Sequence, residues 1–245
     1  MRNSTLTSSC RVLALILACA AIPVNAADKE SPDGLTAQQI FDKMVTTYVT
    51  CKSYRDSGAV TNDTGPQTTG ERFPRHVGVI TFRTAFVRPD QFRFEYDDPT
   101  PEKPYIIWAK AGEVRTWWYI RPGVETPPSL ADAVAGATGV SGASSHTIPT
   151  LLLPDLPDRI KRRKLTSMTD LTRLPDEALD NAPCFKLEGK VSNQPTTLWL
   201  EKATYLITRI DRKMTAARVN TTVYQPEVNK EIPAKELEFN APSTR

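Results

Sequence analysis

The sequence feature that most restricts the fold is an alternation of polar and aromatic residues at positions 91–96, Gln-Phe-Arg-Phe-Glu-Tyr. In an extended segment, successive side chains point to opposite faces, so that the aromatic rings share one face and the polar groups the other. A helix would scatter the same rings around its axis. The segment therefore predicts a β-strand that buries Phe92, Phe94 and Tyr96 on one side of a sheet.

Segments with the same period of two recur along most of the chain after Cys51, and the links between them are short. Two of them flank Ala111-Gly112, which has the composition of a hairpin turn. No long helical pattern separates the segments, which predicts an antiparallel sheet or a partial barrel. The predicted strands are residues 80–86, 91–96, 105–110, 113–120, 184–190, 196–201, 205–212, 219–225 and 237–239.

One long helix is predicted before the strands. Thr36 and Gln39 have the spacing of a capping box, and apolar residues follow at intervals of three and four as far as Tyr48. This pattern predicts an amphipathic helix over residues 36–50.

Residues 122–158 interrupt the strand pattern and are rich in proline, glycine, alanine and serine. A link of this length inside a compact domain is usually functional or disordered. A short helix is predicted at residues 130–137, and the run Leu151, Leu152, Leu153 is expected to pack against an apolar surface.

The N-terminus has the composition of a secretory signal peptide. Arg2 and Arg11 precede an uncharged, mostly apolar run at residues 12–22, and small residues follow as far as Ala26. The run is shorter than the ~20 residues that a membrane-spanning helix needs. We therefore predict an exported protein that is cleaved after Ala26 and whose residues 27–245 form one domain.

The four cysteines divide into two pairs. Cys10 and Cys19 lie in the predicted signal, where residues 16–19, Ile-Leu-Ala-Cys, offer a weaker alternative in which Cys19 is lipidated and anchors the protein. Cys51 and Cys184 remain in the exported chain. An oxidising compartment favours one disulfide between them, and two separately buried thiols are the alternative.

Charge and motifs exclude several functions. Cleavage lowers the net charge of +3 by two and leaves a nearly neutral chain, which argues against nucleic acid as a partner. The sequence has two histidines, His76 and His146, and neither a Cys-x-x-Cys nor a His-Glu-x-x-His motif, so that no metal site and no cofactor is expected. Residues 144–146, Ser-Ser-His, lack the Gly-x-Ser-x-Gly surroundings of a hydrolase, and an ordinary polar turn is the preferred interpretation.

Two charged clusters have a functional and an ordinary interpretation. Glu95, Asp97 and Asp98 offer a cation site or an acid–base pair, but solvated acids are common at strand ends. Residues 159–164 hold five cations, which suit an acidic partner or a membrane surface, and equally an edge strand protected by charge. The ordinary interpretation is preferred for both clusters.

The inward positions of the predicted strands carry large apolar and aromatic side chains. If the sheet curls, these side chains share one concave surface, where they either line a ligand cavity or form a filled core. The sequence leaves both alternatives open. The candidate ligand-binding residues are Phe82, Phe86, Phe92, Phe94, Tyr96, Trp118, Leu198 and Leu200.

Residues 86–96, Phe-Val-Arg-Pro-Asp-Gln-Phe-Arg-Phe-Glu-Tyr, resemble a signature of the LolA/LolB-like carriers of outer-membrane lipoproteins. In those proteins a strand ends in an Arg-Pro turn, a strand of alternating aromatic residues follows, and a glycine hairpin leads to a tryptophan-rich strand. The hairpin and the tryptophans correspond here to residues 111–119. Residues 198–201, 206–210 and 239–242 are also similar to the family.

The resemblance implies an α+β, mainly β fold, an incomplete antiparallel barrel of about eleven strands wrapped around an apolar cavity with helical lid segments. It also implies a monomeric periplasmic protein that carries the acyl chains of lipoproteins or lipids without catalysis or cofactor. Arg88 has the position of the arginine that holds the family's lid closed, and Leu151, Leu152 and Leu153 would belong to the lid. The alternative is an envelope protein-interaction or regulatory module that has the same fold and a filled core.

Overall fold

In the computed structural model the described residues are 33–63, 77–97, 104–157, 159, 163–215 and 218–242. The predicted signal peptide and its alternative at Cys19 lie outside these ranges, as do His76, Asp98 and residues 160–162 of the basic run. Among the described residues, no helix has the length and hydrophobicity that a membrane span requires.

Twelve strands in the described part of the chain form one antiparallel sheet. Eleven of them follow the order β6-β5-β4-β3-β2-β1-β11-β10-β9-β8-β7, and β12 pairs with β1. Strands β6 and β7 are the two edges, so that the barrel is open between them, and the predicted incomplete antiparallel barrel is confirmed. The strands are β1 Ser53–Asp63, β2 Val77–Val87, β3 Gln91–Asp97, β4 Pro104–Lys110, β5 Glu113–Trp118, β6 Arg121–Glu125, β7 Thr169–Leu179, β8 Ala182–Val191, β9 Gln194–Glu201, β10 Ile207–Lys213, β11 Val219–Tyr224 and β12 Glu227–Val228.

Helix α1, Ala37–Thr50, matches the predicted helix. The Thr36 hydroxyl accepts from the Gln39 backbone N–H at 3.2 Å, and the Gln39 side chain accepts from the Thr36 N–H at 2.9 Å, which is the predicted capping box. The buried face of α1 lies on the concave side of the sheet, and Ile40, Met44 and Tyr48 on this face have no exposed surface.

Three short helices follow β6. They are α2 Leu130–Thr138, α3 Ser144–Thr147 and α4 Pro149–Leu152. Together with their links they form a segment, residues 130–153, that covers the concave side beside α1 and is called the lid below. The predicted helix at residues 130–137 is confirmed as α2.

The predicted strand at residues 237–239 is wrong. This segment follows a short 3-10 turn, Ala234–Glu236, and is irregular. The Trp108 indole N–H donates to the Leu237 carbonyl at 2.7 Å, and the rings of Trp108 and Phe239 lie 6.1 Å apart. Because Trp108 alternates with core residues along β4, the segment lies on the convex face of the sheet and adds no strand to its edge.

The predicted disulfide is also wrong, because Cys51 and Cys184 are both free and buried. Cys51 belongs to the core on the concave side. Cys184 is next to Phe185, which faces that core, so that its thiol points to the opposite face, 3.7 Å from the Thr208 hydroxyl. Two sulfur atoms on opposite faces of a sheet do not reach bonding distance.

Alkylation without a reducing agent is expected to label both thiols of the unfolded protein and neither thiol of the folded protein. Burial hides Cys51 and Cys184, and burial also raises the pKa of the Cys51 thiol, which lowers its reactivity. Peptide mapping checks this result, and a Cys51–Cys184 cross-linked peptide in the non-reduced digest would contradict it.

Candidate functional site

The predicted ligand-binding side chains lie together on the concave face of the sheet, except that Trp118 lies at the edge of this group and is half-buried. The others are at most 3% exposed and belong to the core cluster that includes α1 and the lid. They are Phe82, Phe86, Phe92, Phe94, Tyr96, Leu198 and Leu200.

The concave space is filled in this conformation. Phe86, Phe94 and Leu198 have 0% exposed surface, whereas a side chain that lines an empty cavity keeps surface that a water-sized sphere reaches. Side chains of α1 and of the lid occupy the space, among them Met44 and Val134. A ligand therefore gains access to this surface only when the lid moves.

Five aromatic rings form a continuous row across β2, β3, β4 and β5. Phe82 stacks on Phe94 at 6.2 Å between ring centroids, and Phe94 lies 6.5 Å from Tyr96. Tyr96 stacks on Tyr105 at 5.7 Å, and Tyr105 meets the edge of Trp118 at the same distance. The Trp118 indole N–H is buried and has no hydrogen-bond partner in the part of the chain that the structure describes. The row is a wide apolar surface that ends in one unused donor.

Arg88 joins the barrel, α1 and the lid. It follows β2, and its side chain donates to the Cys51 carbonyl at 2.7 Å, the Tyr48 carbonyl at 3.0 Å and the Leu152 carbonyl at 2.9 Å. The last carbonyls of a helix lack partners within the helix, and here one guanidinium serves the ends of both α1 and α4. This position suits the predicted latch, whose role in ligand release stays a prediction.

The predicted lid leucines pack as expected of the end of the 122–158 segment. Leu151 and Leu152 have no exposed surface, and Leu153 is partly buried against the same core.

Ser144 and Ser145 lie in α3, where the Ser144 hydroxyl donates to the Ser141 carbonyl at 2.8 Å and the Ser145 hydroxyl donates to the Val134 carbonyl at 3.3 Å. These hydrogen bonds connect α3 to α2 and to the turn between the two helices.

Asp56 is a buried acid that the sequence analysis did not single out. Its carboxylate accepts a hydrogen bond from the Tyr54 hydroxyl at 2.6 Å. Burial disfavours the charged form and raises the pKa of Asp56 to about 6, although hydrogen bonds from Tyr54 and Thr84 oppose this effect.

Arg212 is a buried cation that was also missed. It is 9% exposed, and its side chain donates to the Thr147 hydroxyl of the lid at 2.8 Å. The second terminal nitrogen, Nη1, has no partner within the described part of the chain. Burial lowers the pKa of Arg212. The lid therefore meets the barrel through polar bonds at both Arg88 and Arg212.

Gly142 allows the lid to pack closely against β1 and β11. Its φ is +59°, and a Cβ there would lie 2.6 Å from a methyl group of Val60. Gly142→Ala is therefore expected to lower the free energy of unfolding by about 1 to 3 kcal/mol. Gly139→Ala is the matched control, since a Cβ at Gly139 meets nothing within 4 Å. Urea unfolding of both variants checks the result, and equal stabilities would refute this contact.

The charged clusters lie away from this interior. Glu95 forms an ion pair with Arg93 at 2.5 Å, and Arg83 lies 3.3 Å from Glu95 and 4.0 Å from Asp97. Desolvation, followed by the charge of Glu95, raises the pKa of Asp97. From the basic run, Arg159 lies 3.2 Å from Asp132 of the lid. Within the described ranges, no group of histidine, cysteine and acidic residues is arranged to hold a metal ion.

An open cleft of about 1340 Å³ lies on the convex face of the sheet. Outward side chains of β1, β2, β3, β10 and β11 line it, together with the segment that follows β12. Arginines and acidic residues line its walls, among them Arg55, Arg83, Arg209 and Glu236. This cleft is polar and open, in contrast to the closed apolar interior.

The fold and the site together define an open antiparallel barrel whose concave face is closed by one long helix and a helical lid. No protein-family profile and no curated protein matches the sequence.

Solved structures with a similar fold include three bacterial proteins. The Mycobacterium tuberculosis lipoprotein LppX has 12% identity and a TM-score of 0.42, over 80% of this chain and 97% of LppX. A LolA superfamily protein from Nitrosomonas europaea has 11% identity and a TM-score of 0.33, over 84% of this chain and 98% of that protein. A chain of the Pseudomonas aeruginosa MucA/MucB complex has 10% identity and a TM-score of 0.46, over 84% of this chain and 61% of that chain. At 10% to 12% identity, these likenesses concern the fold alone.

Proposed function

We propose that the protein is a periplasmic binder or carrier of acylated ligands, lipoproteins or lipids, that it performs no covalent chemistry, and that the described conformation is its closed form. The observation that carries the proposal is the continuous apolar and aromatic concave face, which the lid covers. An acyl chain would replace the lid side chains on this face and bury a similar apolar area.

The construction of the lid supports this proposal. Helices α3 and α4 have four residues each and α2 has nine, and helices this short have little stability of their own. Arg88 and Arg212 bind the lid through hydrogen bonds, which are exchanged for bonds to water more readily than apolar contacts are. A ligand that replaces the apolar contacts of the lid would therefore have to break only a few polar bonds to open it.

Native mass spectrometry with lipid extraction tests the proposal on protein purified from its own periplasm. We expect acyl species to co-purify, or the apo protein to take up an added fatty acid. Phe94→Asp, which places a charge at the centre of the concave face, is expected to abolish uptake, and its fold is checked by circular dichroism. A clean apo mass together with no uptake by the unaltered protein would refute the proposal.

A second function is favoured by the filled interior and by the polar cleft on the convex face. In this alternative the protein is an envelope interaction or regulatory module, and a partner binds the cleft while the lid stays closed. Charge reversal at Arg83 and Arg209 would then abolish the partner complex and leave lipid uptake unchanged. Loss of uptake with an intact partner complex would instead favour the acyl binder.

A further inference from the structure

A row of polar side chains crosses the concave face near one end of the barrel. The strand register places Thr196 of β9 opposite Arg212 of β10, Arg212 opposite Asn220 of β11, and Asn220 opposite Asn62 of β1. The Asn220 side-chain N–H donates to the side-chain oxygen Oδ1 of Asn62 at 2.5 Å. These four residues are called the polar row below. They are consecutive neighbours across four strands, so that their side chains lie side by side.

The rows that follow along the same face are mostly apolar. Leu198, Ile210 and Val60 occupy the adjacent row, in which Thr222 is the one polar member. Leu198 and Ile210 have no exposed surface and belong to the main core. The concave face therefore has a polar end and a long apolar body, which matches the shape of an amphiphile.

Within the described ranges, the polar row contains a buried charge for which no counter-charge is found. No carboxylate of the described residues lies within ion-pair distance of Arg212, whose Nη1 has no hydrogen-bond partner. The side-chain oxygen of Asn220 is also buried without a partner among the described residues. A buried cation without a counter-charge destabilises the closed form, and an incoming anion would remove this cost.

The lid supplies the only hydrogen-bond partner of the Arg212 guanidinium within the described ranges, the Thr147 hydroxyl. Gly142 packs against Val60 and Asn220 beside it. The lid thus covers the polar row with a hydroxyl and backbone, where an oxyanion would make stronger, charge-assisted bonds.

We propose that the polar row is the head-group site of an anionic amphiphile, with Arg212 binding its carboxylate or phosphate and the acyl chain lying along the apolar rows. This inference rests on the proposed function and names its ligand class. A guanidinium binds two oxygens of a carboxylate or phosphate at once, and the Asn220 side-chain amide is a further donor beside it. Asp56 lies on the same face, six residues from Asn62 along β1, and forms no ion pair with Arg212.

Binding of the head group and opening of the lid are coupled in this arrangement. The anion takes the place of Thr147 on Arg212, so that the ligand competes with the lid for the same guanidinium. A ligand shifts a conformational equilibrium by its preference for one state, and this competition supplies the preference.

The test compares three probes at pH 8, namely pyrene-labelled hexadecanoic acid, its uncharged methyl ester, and a pyrene-labelled alkyl phosphate. We expect the protein to bind the acid or the phosphate roughly tenfold more tightly than the ester. The stronger of the two anions identifies the head group. Arg212→Met is expected to bind the acid, the phosphate and the ester equally, with ester affinity unchanged, and Arg212→Lys to keep part of the preference.

Lys213→Met is the matched control, because Lys213 is the exposed neighbour of Arg212 on β10 and carries the same charge. Its preference for anions is expected to equal that of the unaltered protein. Arg212→Met removes a buried charge that has no counter-charge among the described residues, and the variant is expected to melt no lower than the unaltered protein, which separates its effect from unfolding. An anion preference retained by Arg212→Met, or none in the unaltered protein, overturns the head-group site. No binding of any probe overturns the proposed function instead.

Discussion

Arg88→Leu is expected to lower the free energy of unfolding by about 3 kcal/mol and to speed ligand exchange roughly tenfold, because it removes three charge-assisted hydrogen bonds. The carbonyls of Tyr48, Cys51 and Leu152 would lose their donor at the junction of α1 and the lid. Since Leu152 is the lid residue in this set, the closed form is destabilised relative to the open form as well as to the unfolded chain.

Urea unfolding and stopped-flow release of a fluorescent fatty acid measure the two effects of Arg88→Leu. Arg121→Leu is the matched control, because Arg121 also precedes a proline and is exposed on β6. Arg88→Lys keeps the charge but loses the fork of donors, and an intermediate effect is expected. Unchanged stability and release in Arg88→Leu would remove Arg88 from the lid mechanism.

Asp56→Asn is expected to stabilise the protein at pH 7 by up to about 3 kcal/mol and to flatten its stability between pH 4 and pH 6. The pKa of Asp56 rises from its ordinary value of 3.8 to about 6 in the folded state, mainly because burial disfavours the charge. The folded state therefore holds a proton that the unfolded state has released. The stability that this proton contributes is complete below pH 3.8 and is lost as the pH rises through about 6.

The gap between pKa values of 3.8 and about 6 sets the size of the Asp56→Asn effect, since each pKa unit is worth about 1.4 kcal/mol. Urea unfolding at half-unit steps from pH 4 to pH 8 gives the profile. Asp155→Asn is the control, because Asp155 is exposed, and its profile is expected to follow that of the unaltered protein. An Asp56→Asn profile with the same fall between pH 4 and pH 6 would show that another group causes it.

The aromatic strand, the capped helix and the glycine hairpin were predictable because each depends on local pattern. Residues 91–96 form β3 with Phe92, Phe94 and Tyr96 inward, as their alternation indicates. The hairpin at Ala111-Gly112 joins β4 and β5. In these segments the hydrophobic face alone fixes which side is buried.

Strand β1 was missed because its inward positions are not uniformly apolar. Asp56 and Gly58 lie between Tyr54 and Val60 on the concave face, and this mixture hides the period of two. Gly58 is required there, since a Cβ would lie 2.3 Å from the Phe82 ring. Asp56 lies two residues from Tyr54, on the same face of the strand, and this spacing is the one sequence signal that could have identified it as buried.

The polar row depends on partners that no local pattern reveals. Arg212 lies within a predicted strand, but its burial results from Thr147 and the lid, far away along the chain. The disulfide between Cys51 and Cys184 was predicted because two cysteines remain in the exported chain and the compartment is oxidising. Only the strand register shows that their side chains lie on opposite faces of the sheet. Long-range packing decided both.

The lid connects β6 to β7, which are the two edge strands of the sheet. It is thus a strap fastened at both ends across the gap in the barrel, and it has no free end on which to swing outward. Any displacement of the strap pulls on both edge strands, so that the length of the connection between β6 and β7 limits how far the gap widens. Inserting a few Gly-Ser repeats between β6 and α2 would lengthen the strap, and the largest cargo admitted would grow with its length while the strand order stays the same.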